Sequence, residues 1–177
     1  MSQLLLLSWP STITTAMTLV AGGTLLLAAC HDVVSRTVPN WMSLVIAICG
    51  IVAGIADGRL FMSMALGVAI FMIAVFCWRR GLMGGADVKL LGAIALVLSP
   101  SMVATFSVVM SVAGGLHAVI YLVARGFVRP PRRRRPRYLV PRVLRAEQWR
   151  ISRGGPLPYA CAIAAGFLFV ICNGAAP

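Results

Sequence analysis

The chain has 177 residues, of which 60% are hydrophobic, against roughly 45–50% in a soluble domain. Charge is scarce and lopsided: 15 Arg and Lys89 face only Asp32, Asp57, Asp87 and Glu147, for a net charge of +12. The apolar residues fall in long runs, which excludes a conventional soluble core and predicts a single all-α, polytopic membrane domain over residues 1–177.

A hydrocarbon core about 30 Å thick needs a helix of about 20 apolar residues. The first such run is Thr12 to Cys30. Its end, Leu27-Ala28-Ala29-Cys30, has the form of a lipoprotein cleavage box, but no Lys or Arg precedes it, so a retained helix is expected. A polar connection follows from His31 to Asn40. Further spans are expected at Trp41–Ala56, Leu60–Trp78, Met83–Leu98, Met102–Ala124 and Leu157–Asn173, giving about six in all. Asp57-Gly58-Arg59 and Ser99-Pro100-Ser101 read as tight turns between them. Residues 125–155 form the only long polar stretch. Within it Leu144 and Ile151 lie seven apart, with Trp149 nearby, a spacing that suits a short interfacial helix. The five cysteines form no C-x-x-C pair and mostly sit in apolar runs, so they read as packing residues, not as zinc ligands or a disulfide framework.

The charges orient the spans. The first, third and fifth connections carry Arg36, then Arg79, Arg80 and Lys89, then 11 Arg from Arg125 to Arg153, while the opposite side has only Arg59. The positive-inside rule places those three connections in the cytoplasm and both termini outside, in the periplasm if the membrane is a bacterial inner membrane. The basic excess is thereby explained without nucleic acid. The run Arg132 to Arg135 reads as a topology anchor and a contact for acidic lipid headgroups.

Asp32 ends the first span and Asp87 opens the fourth, and the orientation just derived puts both on the cytoplasmic side. An acid at membrane depth costs roughly 2.5–3.5 kcal/mol and persists mainly where it faces a bundle interior or a wet cavity. Two carboxyls a few ångströms apart share a proton and titrate as a unit. One then takes a proton from water while the other donates to a scissile carbonyl, the chemistry of aspartyl proteolysis. The competing reading makes each acid a local cap or a partner for Arg36 or Lys89, and charge and topology leave both open.

The motifs around these acids carry a resemblance. Gly84-Gly85-Ala86-Asp87-Val88-Lys89-Leu90-Leu91 resembles the second aspartate motif of the prepilin peptidase family of GxGD-type membrane aspartyl proteases. Asp32, followed by Arg36 and Val38-Pro39-Asn40, resembles the first. Leu157-Pro158-Tyr159-Ala160-Cys161-Ala162-Ile163 resembles the motif at the mouth of that family's last helix. The resemblance implies that Asp32 and Asp87 are the catalytic pair and that neither metal nor cofactor is needed. It implies a prepilin or pseudopilin substrate whose basic leader is removed. About eleven residues precede the first span and no C-x-x-C occurs, so the chain resembles the small TadV/CpaA-like branch found with Flp-type pili. Ala86 and Ala160 depart from the pattern, standing where it has Gly. If position 86 needs a left-handed backbone, either Ala86 is strained or the turn moves to Gly84 and Gly85.

Supporting roles follow for neighbouring residues. Gly81, Gly84 and Gly85 either admit a substrate strand near Asp87 or make a turn. Pro39 suits helix initiation, and Asn40 either orients the Asp32 loop or caps the second span. Arg36 is expected at a lipid phosphate in preference to Asp32, since a cation there opposes the shared proton. Lys89 is expected to snorkel, on a different face from Asp87. His31 is not expected to act as a base. His117, mid-span, is expected to hydrogen-bond between helices, and Gly50-x-x-x-Gly54 to make a close helix contact. Two functions of other classes compete with the peptidase: a catalytically silent scaffold of pilus assembly, and a small ion-coupled transporter. A transporter loads acids near the midplane, whereas both acids here lie near one surface.

Overall fold

The computed structural model describes residues 2–129, 138–155 and 157–174, which form seven helices: α1 (Ser2–Ser35), α2 (Asn40–Ala56), α3 (Leu60–Arg79), α4 (Gly85–Val97), α5 (Pro100–Phe127), α6 (Leu139–Arg153) and α7 (Tyr159–Gly174). The run Arg132 to Arg135 lies outside the described residues. The architecture is all-α: six apolar helices and one amphipathic helix, α6. By length and composition, α3, α5 and the Thr12–Ser35 part of α1 can each cross a membrane, while α2 and α7 are shorter apolar helices.

The helix ends follow from local chemistry. No breaker lies between Cys30 and Ser35, so α1 continues past the expected end and takes Asp32 into its final turns. It stops where Arg36 adopts a left-handed backbone (φ 56°). Glycines make the same turn after α3 (Gly81, φ 72°) and α6 (Gly154, φ 67°). Pro100 ends α4, because the residue before a proline is driven to extended backbone (Ser99 ψ 154°), and then serves as the first residue of α5.

Helix α4 is the centre of the bundle and touches α1, α2, α3 and α7. Beyond Lys89 it carries no polar side chain, and Val88, Leu90, Leu91, Ile94 and Val97 are all buried, as a helix packed among four others requires. Small residues let its neighbours come close. A Cβ added at Gly50 of α2 or at Gly67 of α3 lies 2.6 Å from Leu96 atoms, so Leu96 sits between two glycines. Gly50 thus makes the expected close helix contact, whereas Gly54 faces Leu60 across the turn. On the outer surface α3 and α5 expose Phe61, Met62, Val108, Val112 and Leu122, as lipid-facing helices do.

At one end of the bundle, Arg59 donates to the carbonyls of Val97 (2.9 Å) and Leu98 (3.2 Å) and pairs with Asp57 (3.0 Å). The sole cation expected on that side therefore caps the C-terminus of α4. The acids Asp32 and Asp87 lie at the other end.

Candidate active site

Asp32 reaches the site from the C-terminal part of α1 and is buried, 8% exposed. The backbone N–H of Ala160, in the first turn of α7, faces its carboxylate. Asp87 is the third residue of α4, and its carboxylate accepts the backbone N–H of Gly84, the residue that caps the helix. This is the acidic half of a capping box. The two acids, 55 residues apart in the chain, line one cavity of about 250 Å³ together with Arg36, Gly84, Gly85, Ala86 and Leu157. The charge of Asp32 acts on the Asp87 carboxylate. A second, larger cavity of about 490 Å³ adjoins the first. Gly84, Asp87 and Leu157 line both, and Cys77, Gly81, Leu82, Met83 and Tyr159 complete the larger one.

The glycine-rich segment works differently from the expectation. Its left-handed residue is Gly81, while Gly84 is extended (φ −75°, ψ 145°) and Gly85 and Ala86 are already helical. Ala86 therefore carries no backbone strain, and neither does Ala160, buried within α7. Gly84 is needed for space: a Cβ there lies 2.9 Å from Asp87 Oδ2, so the bare backbone lets the carboxylate fold back over it. At Gly85 a Cβ meets Trp78 Nε1 at 3.4 Å, an ordinary contact.

Arg36 does not reach toward lipid. Its guanidinium turns inward, and Nη2 binds both carboxylate oxygens of Glu147 at 2.9 and 3.1 Å, with the side chains 13% and 14% exposed. Tyr121 of α5 donates to Glu147 at 2.7 Å. Arg150 also pairs with Glu147, and its Nη1 reaches the Val33 carbonyl at 2.9 Å. Burial acts on the Glu147 carboxyl in the opposite sense, but the donors Tyr121, Arg150 and Arg36 outweigh it and hold the pKa below its ordinary value. Glu147, Tyr121 and Arg150 were not among the residues expected from sequence. The available signal was a single acid placed among 11 arginines.

The remaining expected residues separate. Lys89 does not snorkel alone: its ammonium donates to Asn40 Oδ1 at 2.8 Å, away from the acid pair. Asn40 thus neither caps α2 nor orients the Asp32 loop, and Pro39 occupies the cap position (φ −58°, ψ 139°). His31 binds the Thr37 carbonyl and Ser35. His117 packs edge-on against Tyr121 of its own helix (4.9 Å), in place of the expected bond between helices.

Fold and geometry together define a class: a multi-pass helical membrane protein in which two acids from different helices share a cavity at one end of the bundle. The chain matches the type IV leader peptidase family over residues 19–119, more than half its length, and belongs to that family, whose members are leader-removing proteases. The matched span includes both acids. No curated protein and no solved structure matches the chain.

Proposed function

We propose that this protein is an aspartyl endopeptidase that removes the basic leader of Flp-type prepilins or related pseudopilins at the cytoplasmic face of a bacterial inner membrane, with Asp32 and Asp87 as the catalytic pair. The observation that carries the reading is the common cavity lined by both acids. One carboxylate accepts a proton from the attacking water and the other, protonated, donates to the scissile carbonyl. The larger cavity leaves room for an extended segment of substrate beside Asp87, and Gly81 and Gly84 present bare backbone to it. Leu157 and Tyr159 line the same cavity. The distribution of arginines supports the cytoplasmic placement. Helix α6, with Val140, Leu144 and Trp149 exposed among arginines, suits the headgroup layer of an acidic membrane.

The test is co-expression with a Flp-type prepilin, following leader removal by gel mobility and mass. Wild type is compared with Asp32→Asn and Asp87→Asn at matched membrane levels. Cleavage by wild type alone is expected. Cleavage that survives either substitution refutes the paired-acid mechanism, and a folded wild type inert on several prepilins and pseudopilins favours the silent scaffold.

A further inference from the structure

We propose that Glu147 is a positioning residue, which holds the Arg36 guanidinium away from the acid pair and balances the local charge so that the pair keeps one shared proton. The inference rests on the reading of Asp32 and Asp87 as a proton-sharing pair.

Arg36 is the awkward residue of the site. It occupies a left-handed backbone without being glycine, and it lines the same cavity as both acids. Its Nε and Nη1 are buried without hydrogen-bond partners. Asp32 lies four residues earlier, one helical turn away, and its carboxylate already feels the charge of Arg36. A buried cation with spare donors one turn from a buried acid is set to form an ion pair. That pair would fix Asp32 in its charged form and remove the shared proton. Yet among the described residues no ion pair joins Arg36 to Asp32. The guanidinium is drawn off by Glu147, whose carboxylate is held in turn by Tyr121 and Arg150.

The charges close. Arg36, Arg150 and Glu147 sum to one positive charge, which a pair of acids carrying one proton neutralises. Removing the charge of Glu147 leaves two positive charges, and these favour a pair with no proton. Among the described residues, the other titratable or charged groups around the cluster include His117 and Tyr121 of α5, Cys30 of α1, Cys77 of α3, and Tyr159 and Cys161 of α7. Lys89 of α4 is turned toward Asn40.

The purified full chain in liposomes is titrated by infrared difference spectroscopy. The protonated-carboxyl band of the pair is assigned by its loss in Asp32→Asn and Asp87→Asn. Glu147→Gln keeps the shape and one acceptor oxygen but removes the charge and the second acceptor. The band is expected to disappear at a pH lower by on the order of one unit, the effect of removing one nearby, partly screened elementary charge. Arg150→Gln is expected to move it the opposite way, and Glu147→Gln with Arg150→Gln to bring it back toward wild type. The alkaline limb of cleavage of a co-reconstituted Flp-type prepilin should follow the band. A purely structural role lowers activity at every pH without moving either readout. An unmoved band in Glu147→Gln and in Arg150→Gln overturns the inference. Cleavage that survives Asp32→Asn or Asp87→Asn overturns the peptidase reading instead, and the infrared titration needs no substrate.

Discussion

Substituting Gly84 by Ala tests whether the position of the Asp87 carboxylate sets the rate. The backbone at Gly84 is extended with a negative φ, so alanine fits it without conformational strain. The obstacle is steric: the new Cβ lies 2.9 Å from Asp87 Oδ2, and ordinary contact begins near 3.4 Å, so the carboxylate must retreat by about half an ångström. Its bond to the Gly84 N–H then weakens, at a cost of at most about 1 kcal/mol of stability. Catalytic geometry is less forgiving. A displacement of about 1 Å costs on the order of 100-fold in rate, so half of that predicts a fall of about 10-fold. Gly58→Ala is the control. Gly58 lies at the opposite end with a left-handed φ of 66° and open space around its Cβ position, so alanine there strains only the backbone. That strain costs about 1–2 kcal/mol. Thermal unfolding in detergent and initial rates of prepilin cleavage should therefore separate the two variants: Gly84→Ala slow but nearly as stable as wild type, Gly58→Ala less stable with its rate unchanged. A wild-type cleavage rate in Gly84→Ala refutes the reasoning.

Three further outcomes follow from the same geometry. Ala86→Gly restores the residue of the family pattern, yet Ala86 is helical and unstrained, so the change should lower stability by about 0.5–1 kcal/mol and should not raise the cleavage rate. Gly50→Ala places a Cβ 2.6 Å from Leu96 Cβ and 2.9 Å from the backbone nitrogen of Val97, which cannot step aside; a loss of about 1–3 kcal/mol is expected in thermal unfolding, against almost none for Gly23→Ala in open space. The pKa of Glu147 is lowered in the folded state, so its contribution to the docking of α6 is complete above its unfolded value near 4.5 and is lost as pH falls through the folded value; the hydrogen-exchange protection factors of α6, corrected for the intrinsic pH dependence of exchange, should fall in acid below pH 4.5 and stay constant above it.

The parts of this fold that were legible in the sequence are those written locally. Apolar runs located the spans, and proline and glycine marked most breaks. The two acids were visible because each sits within a compact motif at the end of an apolar run. Local signals also set the limits of that reading. Nothing between Cys30 and Ser35 breaks a helix, so α1 extends beyond its apolar run and carries Asp32 inside the helix. Around Ala86 the pattern left open a strained turn or one moved to Gly84 and Gly85, but the left-handed residue is Gly81, and Gly84 serves steric access.

Glu147 was illegible for a different reason. It bonds to a residue 111 positions away, and the spacing of Leu144, Trp149 and Ile151 marks an interfacial helix in the basic loop without showing that its one acid turns inward. Such a loop has two physical demands that compete. Its arginines are the residues expected to set the topology, but on the proposed mechanism a cation drawn toward the acids would remove the proton they share. A single acid among those arginines resolves the conflict when it faces inward, because it consumes the charge of Arg36 and, through Arg150, ties α6 to the carbonyl of Val33, next to Asp32. On the proposed mechanism the basic loop then does more than orient the protein: its one negative residue sets the charge around the acid pair.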